Sequence, residues 1–110
     1  MKLPRIAATP SSGNVFADLG LPKPKMELLK AQLARRIREI IRRRRLTRAG
    51  VGAVLGLDPQ RVFALLDGRL TRFSNERLIR FLTRFGQDVV IVLQPMPRHQ
   101  RGQISVVETA

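Results

Sequence analysis

The stretch that most constrains the fold is Gly56-Leu57-Asp58-Pro59, which stands between two short apolar segments. Asp58 before Pro59 is a helix start: the carboxylate accepts hydrogen bonds from the unpaired backbone N–H groups of a first turn, and proline's fixed φ suits the first helical position. The segment it starts runs to about Leu66 and stops at Asp67-Gly68. On the other side, Thr47 is an N-cap for a helix running to about Leu55, and Gly56 closes it. Only Gly56-Leu57-Asp58 separates the two helices, so they must meet at a tight corner. Gly50 and Gly52 lie inside the first of them, each costing about 1 kcal/mol against alanine in helix propensity. That helix therefore depends on packing.

A pair of helices joined by so short a turn is a helix-turn-helix, and the flanking sequence supplies more helices to pack on it. From Met26 to about Arg45, Leu29, Leu33, Ile37, Ile40 and Ile41 fall on one stripe. Residues Arg69 to Phe73 read as a loop. Ser74 caps a fourth helix with Leu78, Ile79, Leu82 and Phe85 inward and Gly86 at its end. Asp88 to Gln94 is short, β-branched and bounded by Gly86 and Pro95, which predicts a strand, and its unbroken apolar run predicts burial of both faces. Such a strand needs an edge partner. Residues Gln103 to Glu108 of the same chain, or Val90, Ile91, Val92 and Leu93 of a second copy, would supply one. Residues 1–25 carry four prolines and read as an arm, with one helical turn over Asn14 to Leu21 that docks on its own domain or, as the alternative, on a partner. The expected organisation is an N-terminal arm over 1–25, a helix-turn-helix domain over 26–87 and a C-terminal strand segment and dimerisation tail over 88–110. The fold class is mainly α, a helix-turn-helix bundle with a short C-terminal strand or hairpin.

The charge balance points to the partner. Of 110 residues, 21 are Lys or Arg and 8 Asp or Glu, a net charge of +13, which calls for a polyanion. Double-stranded DNA leads; an RNA or an anionic membrane surface is the alternative, using the arginine face of the first helix. No apolar run approaches the roughly 20 residues of a membrane span, and the start lacks the apolar core of a signal peptide. The absence of cysteine suits a cytoplasmic protein. His99 has no neighbouring Cys or His, so no metal site is expected. The scattered carboxylates assemble no acid–base pair or activated nucleophile; neither an enzyme nor a cofactor is expected.

The outward face of the third helix follows from its pitch of about 100° per residue. Val62, Leu65 and Leu66 cluster on one side, with Gln60 and Ala64 opposite and Arg61 and Phe63 on the flanks. Gln can bond adenine bidentately, Arg guanine, and a small or apolar side chain can touch a thymine methyl. Gln60, Arg61, Ala64 and Phe63 are therefore the base-contacting candidates. Arg43, Arg44, Arg45 and Arg48 before the motif, and Arg69, Thr71, Arg72 and Ser74 after it, are the phosphate candidates.

On these residues the sequence resembles the Xre family of lambda-repressor-like helix-turn-helix regulators. Counted from Arg48 over twenty positions, the small fifth residue is Gly52, the ninth is the turn glycine Gly56, and the apolar fifteenth and eighteenth are Val62 and Leu65. Arg48 stands where the family usually has Gln, and Phe63 where a small polar residue is common. The resemblance implies a homodimeric DNA-binding regulator, most simply a repressor that occludes a promoter. GNVFADLGL before the first helix and RFLTRFGQDVVIVLQP around the fourth look like the small Xre-type proteins that include antitoxins encoded beside RelE-like toxins. An antitoxin with a toxin partner is therefore the alternative function, although a chain this basic has little acidic surface for a basic ribonuclease.

Overall fold

The structure, a computed structural model, describes residues 23–96 and 102–109. The arm turn over Asn14 to Leu21 and His99 lie outside the described residues. Among those described are four helices: α1 Lys23–Arg43, α2 Arg48–Leu55, α3 Pro59–Leu66 and α4 Asn75–Arg84.

α1 starts three residues before Met26, because Pro24 falls within the first turn, where a missing N–H costs nothing. Its stripe of Leu29, Leu33, Ile37, Ile40 and Ile41 is buried, joined by Ala34. It ends at Arg43, two residues before the expected end. There Arg45 N–H donates to the Arg42 carbonyl and Leu46 N–H to the Ile41 carbonyl, both at 3.1 Å. Arg45 takes φ 50°, the left-handed conformation that glycine favours after a helix end. Arg45→Gly is therefore expected to raise stability by about 0.5–1 kcal/mol, read as a higher urea midpoint.

The corner forms as its caps dictate. Thr47 Oγ1 accepts from Gly50 N–H at 3.0 Å, and Asp58 Oδ1 from Arg61 N–H at 2.9 Å. Gly56 takes φ 67°, and Leu57 N–H returns to the Gly52 carbonyl at 3.0 Å. α2 and α3 consequently meet at 105°. Close packing across the corner explains Gly52: a Cβ there would lie 2.8 Å from the Leu57 carbonyl oxygen.

The core is one cluster. Val51 and Leu55 of α2, Leu57 of the turn, Val62 and Leu65 of α3, and Leu78, Leu82 and Phe85 around α4 all pack with the α1 stripe. Leu66 and Ile79 pack against it half-buried. Two aromatic residues join the core that the apolar stripes do not announce. Phe73, in the loop, and Phe81 meet edge to face with ring centroids 6.0 Å apart. Two arginines close helix ends by donating to carbonyls: Arg44 to Phe85 O at 2.6 Å and Arg84 to Val54 O at 3.3 Å.

The C-terminal segments depart from expectation. Among the described residues there is no strand, and the apolar run is not buried on both faces of this chain. Val90, Ile91, Val92 and Leu93 are 54, 62, 55 and 75% exposed. Only Val89, and Ile104 and Val106 beyond, lean on the core. The core of a four-helix domain this small offers one side for an extended segment to cover, and the other side has no layer above it. The final residues are held by charge. Glu108 pairs with Arg35 and with Arg36, and Arg36 also donates to the Thr109 carbonyl at 3.2 Å.

Candidate nucleic-acid interface

The outward surface of α3 is built from its own periodicity. With Val62 and Leu65 turned into the core, Gln60 is exposed and Ala64 half-exposed between two charged flanks. On the Arg61 side, the loop after α3 turns back to form a cleft of about 430 Å³. Arg61, Arg69, Arg72 and Arg77 line it with Thr71, against a single carboxylate, Asp58. Two of these arginines are oriented by neighbouring acids: Arg69 Nε lies 2.9 Å from Asp67, and Arg61 Nε 3.8 Å from Asp58. Arg77 is fixed by rings, its guanidinium 5.7 Å from the centroids of both Phe73 and Phe81. On the opposite flank, Arg48 from the first turn of α2 sits over the Phe63 ring at 5.4 Å. The α3 surface is thus a narrow polar strip with guanidinium groups on both sides.

A family model described as a helix-turn-helix domain matches residues 15–94. A solved structure assigned to the XRE family of transcriptional regulators is similar at 37% identity and TM-score 0.75, over 80% of this chain and 100% of that one. The chain belongs to the Xre-like helix-turn-helix family of DNA-binding regulators. No curated protein matches it. In this helix-turn-helix protein the four motif positions Gly52, Gly56, Val62 and Leu65 have the expected roles: close approach to the turn, the left-handed cap, and two core contacts.

The sequence candidates fall into three groups, with Arg45 apart from them. Gln60, Arg61, Ala64, Arg69, Thr71 and Arg72 line one cleft, and Phe63 and Arg48 form the opposite flank. A second group is engaged within the domain. Arg43 pairs with Glu39 at 2.7 Å. Arg44 caps Phe85 and lies 5.9 Å from its ring centroid. Ser74 Oγ accepts from Arg77 N–H at 3.1 Å as the α4 cap. Arg45 is exposed at the end of α1. The third group, Val90 to Leu93, lies exposed on the C-terminal segment. Sequence reasoning missed Arg77. Its signal was the spacing Arg77-x3-Phe81 within α4, which on a helix brings i±4 neighbours together; Phe73 joins them from the loop before the Ser74 cap. Among the described residues no group of three His, Cys, Asp or Glu side chains could hold a metal ion, and no single helix is long and apolar enough to cross a membrane.

Proposed function

We propose that the protein is a homodimeric transcriptional repressor that lays α3 in the major groove of duplex DNA. The observation that carries this is the pair of guanidinium flanks on either side of the α3 strip. A major groove is an edge of base donors and acceptors between two rows of phosphates, and this surface is its complement. Gln60, Arg61 and Ala64 read the bases. Arg69, Thr71, Arg72 and Arg77 hold one phosphate row and Arg48 the other, with Arg45 close by at the end of α1. Arg44 contributes less, since the Phe85 carbonyl already holds it; Arg43, like Arg69, stays exposed beside a neighbouring acid and can reach a phosphate. The exposed run Val90 to Leu93 supports a dimer, because four adjacent apolar residues left in water gain by pairing with a second copy. Occlusion of a promoter is the simplest output of such a dimer.

Gln60→Ala or Arg61→Ala is expected to cost about 1–3 kcal/mol on a duplex selected from a random pool, with binding to unselected duplex nearly unchanged. Equal weakening on both duplexes would reject base reading by α3.

A further inference from the structure

We infer that Phe63, steadied by Arg48, reads the C5-methyl group of a thymine next to the base pair met by Gln60; this rests on α3 entering the major groove. The ring is 44% exposed on a helix whose other large apolar residues are buried or half-buried. Leaving a phenyl ring in water is unfavourable, and nothing about the core requires it, since Val62 and Leu65 on the inward side already close that packing. Nor is the ring left to swing. Arg48 lies over one face at 5.4 Å, an attraction between guanidinium charge and ring quadrupole. Arg48 in turn is placed by the first turn of α2, where Thr47 caps the helix. One face of Phe63 is therefore covered, and the exposed remainder is held beside the polar strip.

The chemistry of the groove decides what that remainder fits. Base edges in the major groove are donors and acceptors with one exception, the C5-methyl of thymine. Phe63 lies three residues after Gln60, about 60° away around α3, so the two side chains address neighbouring positions. A phenyl ring has no hydrogen bond to offer and discriminates by apolar contact alone. Arg48 carries the charge to a phosphate on the same side. The pair thus separates a methyl-bearing pyrimidine from cytosine, a distinction that Gln60 does not make.

The test uses the full chain and the duplex it selects from a random pool, with each thymine replaced in turn by deoxyuridine, which removes only the methyl. Wild type is expected to lose about fourfold in affinity at one thymine per half-site, the effect of one buried methyl. Phe63→Ala is expected to show no loss at that position, while Gln60→Ala keeps it. Phe63→Leu, apolar but without the ring, should retain most of the discrimination. Unchanged unfolding midpoints for the Phe63 variants establish that an exposed contact was removed and not the fold. If wild type prefers its duplex but is indifferent to every deoxyuridine, the methyl contact is wrong and groove reading stands. If Phe63→Ala is as sensitive as wild type, the methyl is read elsewhere and the inference fails. If no duplex is preferred at all, both fall together.

Discussion

Gly52→Val is expected to destabilise the protein by about 3 kcal/mol or more and to abolish duplex binding with it. A Cβ at position 52 would stand 2.8 Å from the Leu57 carbonyl oxygen, well inside van der Waals contact. That oxygen belongs to the backbone of the corner, so relief requires α2 and α3 to part. Their separation would uncover Val51, Leu57 and Val62, all now buried. For a domain whose total stability is on the order of 5–15 kcal/mol, the loss is a large fraction. The neighbouring glycine is the control. Gly50→Ala gains about 1 kcal/mol of helix propensity and meets only Thr47 Oγ1 at 3.3 Å, a side chain that can yield slightly. Its urea midpoint should differ little from wild type. Two midpoints of equal size would mean the close approach at Gly52 does not restrain the corner.

Those two glycines show where sequence reasoning stops. As letters in a short helix they carry the same propensity cost, and only the turn returning toward Gly52 separates them. Local chemistry was legible: Thr47, Asp58 and Ser74 each cap the helix that follows them, and the buried stripe of α1 follows its helical period. Misjudgements came where tertiary partners decide. Phe73 sits among polar loop residues, and its burial depends on Phe81 and Arg77 arriving from α4. The run Val89 to Leu93 is unbroken, which reads as burial on two faces; the domain covers one side and leaves Val90 to Leu93 exposed.

The candidate site was legible in outline for the same reason. Helical pitch alone separates Gln60 and Ala64 from the core residues of α3. The division of arginines was not legible, since a guanidinium bound to a carbonyl and one facing solvent look identical in sequence. Arg36 shows the point: it touches Glu39, Glu108, Gln87 and the Thr109 carbonyl, so with Arg35 it anchors the C-terminal tail. Helical pitch places Phe63 on a flank of α3, but its contact with Arg48 of α2 depends on the corner and was not legible.

The second large effect follows from this division. Each phosphate contact contributes about 0.9 to the slope of log affinity against log salt, because it releases condensed counterions whatever the sequence. Arg48 lies on one flank of α3 and Arg69 and Arg72 on the other. Replacing all three with Gln is expected to lower the slope by about 3 and to weaken binding at 0.1 M salt by two to three orders of magnitude, roughly. The slope should fall alike on selected and random duplex. Arg35→Gln with Arg36→Gln removes as much charge per site, yet these side chains are held by Glu108. That pair is expected to loosen the tail with little change in slope.

The salt titration of the Arg48, Arg69 and Arg72 triple variant beside the Arg35 and Arg36 double variant is the most direct test of the claim that α3 lies between two phosphate rows. A slope reduced by about 3 in the triple variant and by less than about 1 in the double variant is the predicted result. Equal reductions in the two, or an unchanged slope in the triple variant, would contradict it and move the DNA-binding face away from α3.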